Sequence, residues 1–271
     1  MTKLTAGPAG LNMTTDIDFS DYPDAVPTTA NSGKVIFNSG GFDVTMKGAG
    51  FTYGGPNEFP ADGTITSIRV TFAGNPVLSI TRTSLDVSDM RDAIDASQPQ
   101  LILNAMLGGD DKVLGGRDGS NVLFALGGDD LVAGGNADDT LDGGAGNDTL
   151  FGGRGSDVLT GGAASDLYVF SSTLDSRKSS PDVIIGLDDA SDIIDLRAID
   201  ANVNKTGNQA FEIVSAFTGD EGEMTLSYNF ASYITTVSMD VDGDAKADMI
   251  ILIDGVVGGF EDHSDFTNFI F

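Results

Sequence analysis

The sequence predicts an all-β protein whose middle is a stack of short repeated units. Three observations carry this. A nine-residue glycine–aspartate pattern recurs in phase between residues 106 and 170. Apolar and β-branched residues alternate with polar ones on both sides of it. No apolar run approaches the roughly 20 residues of a membrane helix, and the best candidate, Met249 to Ile253, is stopped by Asp254.

A β-rich N-terminal domain is expected over residues 1–105. Val35-Ile-Phe, Phe42-Asp-Val-Thr-Met, Phe51-Thr-Tyr, Thr64 to Phe72 and Val77-Leu-Ser-Ile read as strands, with Gly, Pro and Asn turns between them. Asp86 to Asp95 reads as a short helix: Val87, Met90 and Ile94 share a face and Asp86 can cap it. Tyr22, Tyr53 and Phe59 are read as core, with a saccharide-binding surface as the alternative.

Residues 106–170 hold 17 of the 36 glycines, and 11 acids against 3 bases. Gly134-Gly-Asn-Ala-Asp-Asp139-Thr-Leu-Asp is followed by units starting at Gly143, Gly152 and Gly161, on the pattern GGxGxDxUx with U apolar, with alanine at the fourth position in the first and last. Weaker units lie upstream, one of them ten residues long. The sixth position reads Asp111, Asn121, Asp130, Asp139, Asp148, Asp157, Asp166. The eighth reads Val113, Leu123, Val132, Leu141, Leu150, Leu159, Tyr168. A single unit cannot bury its apolar residue, so units must stack. Two turns make one coil, so each turn lies against the next but one. Asp111, Asp130, Asp148 and Asp166 then line one side, and Asn121, Asp139 and Asp157 the other. Carboxylates stacked so closely repel unless a cation lies between them.

These units resemble the RTX, or haemolysin-type, calcium-binding repeats. The resemblance implies a right-handed parallel β-roll that binds Ca²⁺ between stacked turns through glycine-turn carbonyls and sixth-position aspartates. The implied pairs are Asp111/Asp130, Asp130/Asp148, Asp148/Asp166, Asn121/Asp139 and Asp139/Asp157, with carbonyl positions at Gly109, Gly127, Gly128, Gly134, Gly135, Gly143, Gly144, Gly146, Gly152, Gly153 and Gly155. Ala137 and Ala164 replace the fourth-position glycine and are expected to strain their turns. Five sites of Kd about 10⁻⁴ M in roughly millimolar calcium would contribute about 7 kcal/mol. That is comparable to the whole stability of a domain, about 5–15 kcal/mol.

Residues 171–271 resemble the C-terminal β domain of serralysin-type secreted proteases. The matching stretches are Asp166-Leu-Tyr-Val-Phe-Ser-Ser, Asp182-Val-Ile-Ile, Asp192-Ile-Ile-Asp-Leu-Arg and Asp242-Gly-Asp-Ala-Lys-Ala-Asp-Met. The resemblance implies strands that continue the roll, and an uncleaved signal for a type I exporter, read in Asp265-Phe-Thr-Asn-Phe-Ile-Phe271. The plainer reading of that tail is an edge strand. Asp240, Asp242, Asp244 and Asp248 occupy positions 1, 3, 5 and 9 of an EF-hand-like loop, but Ala245 and Ile251 stand where glycine and glutamate belong. A solvated turn and a calcium site both remain open there, and the turn is favoured. Asp189, Asp192 and Asp195 are read as exposed acids of a structural turn, and His263 as a surface residue.

Composition excludes much. Forty-one acids against fourteen bases, a net charge of −27, argue against nucleic acid and anionic membranes as partners. The absence of cysteine removes disulfides and thiolate chemistry, and one histidine leaves no HExxH zinc site. GxSxG and GxxxxGK[ST] are absent. The N-terminus lacks the apolar segment of a Sec signal. The expectation is a non-enzymatic extracellular bacterial protein that folds on calcium after type I export, acting in adhesion or in matrix or host contact, with a cell-surface glycan or matrix among its partners. The alternative is a secreted enzyme acting on polysaccharide or lipid through residues 1–105.

Overall fold

A computed structural model describes residues 29–31, 34–39, 42–52, 62–72, 75–86, 107–188, 190–255 and 268–271. Among the described residues five strands precede the repeats: β1 (Thr29–Asn31), β2 (Lys34–Ser39), β3 (Phe42–Thr52), β4 (Asp62–Phe72) and β5 (Asn75–Asp86). They form an antiparallel meander. Seven strands follow at close spacing: β6 (Asp111–Gly115), β7 (Val122–Phe124), β8 (Leu131–Gly135), β9 (Thr140–Ala145), β10 (Thr149–Gly153), β11 (Val158–Ala163) and β12 (Leu167–Val169). The remainder are β13 (Asp182–Ile185), β14 (Ile193–Asp195), β15 (Glu212–Ile213), β16 (Glu223–Asn229), β17 (Ile234–Asp240), β18 (Met249–Asp254) and β19 (Phe269–Ile270).

The repeat strands go alternately to two sheets. β6, β8, β10, β12, β14 and β19 run parallel in one; β7, β9, β11, β13 and β18 run parallel in the other. This is a β-roll, and each turn does lie against the next but one. Its core is the eighth position. Val113, Leu123, Val132, Leu141, Leu150, Leu159 and Tyr168 are each at most 1% exposed, and Ile184 and Ile194 continue the two columns beyond the repeats at 0%. With one inward side chain per strand, the interior is filled by stacking alone, as a solenoid requires.

Hydrogen bonding does not stop at the composition boundaries. β5 pairs antiparallel with β6, so the N-terminal meander extends the first sheet to eleven strands. Met46, Ile65 and Ile68 are buried within it. At the far end, the β16–β17–β18 meander joins the second sheet through β18 on β13. β19 lies at the edge of the first sheet beside β14, which agrees with the edge-strand reading of the tail.

The strand expected at Phe51 is the end of β3, and β5 is longer than Val77 to Ile80. The expected helix lies outside the described residues except for Asp86, which closes β5. Tyr22, Tyr53, Phe59, Asp189 and His263 lie outside them as well.

Candidate metal-binding ladder

Paired glycines open each turn for two separate steric reasons. A Cβ on the first glycine would strike the aspartate of its own turn: at Gly134, Gly143, Gly152 and Gly161 it would lie 2.2–2.4 Å from Oδ2 of Asp139, Asp148, Asp157 and Asp166. A Cβ on the second would strike the coil below: at Gly153 and Gly162 it would lie 2.0 Å from the carbonyl oxygens of Gly135 and Gly144. Real Cβ contacts do not approach this closely, so both positions require glycine.

The aspartate then folds back over its turn and is bound from the preceding coil. The backbone N–H of Asp111 donates to Asp130 Oδ1 at 2.6 Å, Asp130 to Asp148 at 2.8 Å, and Asp148 to Asp166 at 2.9 Å. On the other side Asn121 donates to Asp139 at 2.6 Å and Asp139 to Asp157 at 2.8 Å. The structure thus brings together every pair expected from the repeats.

It also adds two. Asp157 N–H donates to Asp182 Oδ1 and Asp166 N–H to Asp192 Oδ1, both at 2.9 Å. Asp192 is 2% exposed and Asp195 8%, which corrects their reading as exposed turn acids. Asp192 Oδ2 accepts the N–H of Asp188, and Asp195 holds Arg197 through two charge-assisted bonds of 3.0 and 2.7 Å. A second ladder runs the opposite way through the fifth position. Asp110, Asp129, Asp138 and Asn147 accept, through Oδ1, the N–H of Asp129, Asn147, Ser156 and Ser165 two turns on. Its sequence signal is a short polar residue before every sixth position.

In five of these aspartates one oxygen is left over. Oδ2 of Asp139, Asp148, Asp157, Asp166 and Asp182 is buried and has no hydrogen-bond partner among the described residues. Burial pushes the carboxyls of Asp139, Asp148 and Asp166 up to about 6, Asp157 to about 7 and Asp182 to about 9. Their charged neighbours are other aspartates, which raise them further: Asp138 beside Asp139, and Asp139 beside Asp157. Buried, unpaired oxygens from hard donors, next to backbone carbonyls, fit a divalent oxygen-seeking cation and suit no soft one.

Asn121 differs. Its Nδ2 donates to the carbonyls of Gly119 at 2.7 Å and Gly116 at 3.0 Å, and to Asp139 Oδ1 at 2.9 Å. It reaches Gly134 O at 3.4 Å. The amide thus satisfies itself on neighbouring oxygens, where the aspartate turns leave Oδ2 without a partner. The fourth-position alanines also differ from each other. Ala164 takes a left-handed φ of 92°, as expected for a strained turn, whereas Ala137 avoids that region. The strain expected at Ala137 is absent because its turn closes without a left-handed residue there.

Residues 70–267 match the family described as Peptidase M10 serralysin C terminal. The chain belongs to this family. Metalloprotease AprA of Pseudomonas entomophila (strain L48) is 39% identical over 85 residues, 31% of this chain and 17% of that protein. Metallopeptidase AprA of Pseudomonas marginalis is 44% identical over 128 residues, 47% of this chain and 26% of that protein. The serralysin-family chain therefore spans about a quarter or less of these relatives. Among solved structures it is similar to the AlgE6R3 and AlgE6R2 subunits of the Azotobacter vinelandii mannuronan C5-epimerase. The first is 19% identical, covering 60% of this chain and 74% of that one, with a TM-score of 0.34. The second is 22% identical, covering 55% and 81%, with a TM-score of 0.32.

Proposed function

We propose that the chain is a secreted calcium-binding protein whose roll folds when its aspartate ladder is neutralised. The observation that carries this is the row of buried Oδ2 atoms without partners. The sixth-position aspartates, with Asp182 and Asp192, would hold the ions together with turn carbonyls. Calcium supplies the positive charge that the ladder lacks. Without it, like-charged carboxylates desolvated in one stack oppose folding and leave the chain open, a state suited to threading an exporter. Extracellular calcium modules bind at about 10⁻⁴–10⁻³ M, which would tie folding to the outside of the cell.

The division into an N-terminal domain of residues 1–105, a roll of 106–170 and a C-terminal domain of 171–271 belongs to the same reading, as does a type I secretion signal in the final residues. The hairpin between β16 and β17 supports a role in surface contact. Phe230 is 81% and Tyr233 67% exposed, and Tyr228 packs edge-on against Phe230.

The test is a calcium titration followed by far-ultraviolet circular dichroism, with magnesium as control and the Asp148→Ala/Asp157→Ala variant alongside. The expected result is a cooperative gain of β signal near millimolar calcium, weakened in the variant. A chelated protein already fully folded and indifferent to calcium would sink the proposal.

A further inference from the structure

The loop from Asp240 to Asp248 joins β17 to β18 and stands apart from the repeats. One carboxylate oxygen from each of Asp240, Asp242 and Asp244 lies within 4.8 Å of the other two. Asp240 is fully buried. Its Oδ1 accepts the N–H of Gly243 at 2.7 Å, while its Oδ2 has no partner among the described residues. Asp242 and Asp244 are exposed, so the three acids form a cluster with a buried floor and an open rim.

The independent sign is the buried Asp240 Oδ2, and the backbone is compatible with it. Ala245, the sixth residue of the loop, has a φ of 62°. This is the left-handed conformation that glycine provides at the sixth position of a twelve-residue calcium loop. Alanine in place of glycine there argues against such a loop, yet the chain adopts the conformation. Asp248, at the ninth position, turns back so that its Oδ2 accepts the N–H of Val241 at 2.9 Å.

We propose that this loop is a calcium site separate from the ladder, formed by Asp240, Asp242 and Asp244. A buried carboxylate clustered with two further carboxylates is repulsive unless a cation joins them. The donors are all oxygens, which selects a hard divalent ion. The twelfth position, where a bidentate glutamate closes an EF-hand, is Ile251, whose side chain is core in β18. The site therefore has few protein ligands and belongs to the weak range of extracellular modules, about 10⁻⁴–10⁻³ M. Lys246 Nζ lies 2.6 Å from Asp244 Oδ2 on the exposed rim and is a built-in competitor.

Its position gives the site a consequence. β18 pairs with β13, so the hairpin closes the end of the second sheet. A Cβ on Gly243 would lie 3.0 Å from Glu221 Cγ and 3.1 Å from Gly219 O, so the loop packs on the segment before β16. An ion in the loop would fix that contact and brace the C-terminal meander, tying the β17–β18 turn to the segment that leads into β16. The inference does not rest on calcium binding by the ladder.

The test is equilibrium dialysis of the full 271-residue chain against radioactive calcium at several millimolar, with magnesium as control. The Asp242→Asn/Asp244→Asn protein is expected to bind one calcium fewer than the unaltered chain, with an unchanged circular dichroism spectrum at saturation. An equal count overturns the proposal. Lys246→Gln reads the same site without removing a ligand. Loss of one exposed competing charge should lower the half-saturation concentration of that calcium about two- to fivefold. An unchanged midpoint also overturns the proposal.

Discussion

Replacing Asp157 by asparagine separates a carboxylate that serves the backbone from one that serves a cation. The substitution keeps an Oδ1 acceptor for the N–H of Asp139 and replaces the unpartnered Oδ2 with an amide. Asn121 shows that an amide at a sixth position finds carbonyls to donate to. Burial raises Asp157 from 3.8 to about 7. At about 1.4 kcal/mol per pK unit, the charged form costs the calcium-free protein roughly 2–4 kcal/mol near pH 7.5. The variant is therefore more stable than the parent in chelator by about that amount, and its urea midpoint rises by about 1–2 M. Calcium reverses the order. Asp157 belongs to two ladder pairs, with Asp139 and with Asp182. Each site contributes about 2.7 kcal/mol when calcium is a hundredfold above Kd, so losing both removes roughly 5 kcal/mol. Urea unfolding in chelator, and at stepwise higher calcium up to about a hundredfold above Kd, should give stability curves that cross. A variant less stable than the parent at every calcium concentration, zero included, would make Asp157 an ordinary hydrogen-bond acceptor. A variant more stable throughout would remove it from the ion sites.

Three further outcomes follow from the same geometry. Asn121→Asp exchanges a self-satisfied amide for another unpartnered oxygen, so the protein should bind one more calcium by equilibrium dialysis and lose β signal in chelator; an unchanged count would contradict this. The pH response of the calcium-free chain is set by carboxyls whose folded pKa values, about 6 for Asp139, Asp148 and Asp166 and about 7 for Asp157, lie above the unfolded 3.8. Between those limits the folded state holds more protons, so stability falls as pH rises through the window. Circular dichroism in chelator should show β structure gained from pH 8 to pH 5, and the calcium needed to complete folding should fall over the same range. Finally, Gly153→Ala, with a φ of 98° and a Cβ 2.0 Å from Gly135 O, should prevent roll folding, whereas Gly186→Ala, with a φ of 71° and nothing within 4 Å, should cost only about 1–2 kcal/mol in urea unfolding.

The roll was legible because its determinants are local and periodic. The eighth-position residues announce the core without knowledge of any partner, and all seven are buried. The same phase assigns each sixth-position residue to its side. What the sequence conceals is where the ladder ends. Asp182 lies 25 residues after Asp157, seven beyond the regular eighteen, and Asp192 lies 26 after Asp166. The intervening residues break the phase, and Asp175, where the next ladder aspartate would fall, instead accepts the N–H groups of Ser171 and Ser172 through Oδ2. The surviving signal is the triad of aspartate, any residue and apolar residue, in Asp182-Val-Ile184 and Asp192-Ile-Ile194. Alternation around Asp192 predicts exposure because it records only local neighbours, while burial is decided by a backbone N–H 26 residues away. The junction of β5 with β6 was hidden for a related reason. A roll leaves an open edge at its first strand, and which segment covers that edge depends on reach and register rather than on composition.

The two hydrogen-bond ladders explain why so acidic a stack can be specific as well as repulsive. Fifth-position side chains accept from the coil above, and sixth-position side chains accept from the coil below, so each turn is tied to its neighbours in both directions. These bonds fix register but use one carboxylate oxygen at each sixth position, and the geometry that satisfies Oδ1 is the one that buries Oδ2. An asparagine in every sixth position would complete the polar bonding without charge and give a roll indifferent to ions. Asn121 shows this solution is sterically available, because its amide bonds the turn carbonyls directly. At Asp139, Asp148, Asp157 and Asp166 the aspartate therefore adds no stability over asparagine in the calcium-free chain, since a buried carboxylate oxygen without a partner is destabilising. What aspartate adds over asparagine is a buried oxygen that calls for a cation, and under the proposed function that dependence would let the same sequence stay open in one compartment and fold in another.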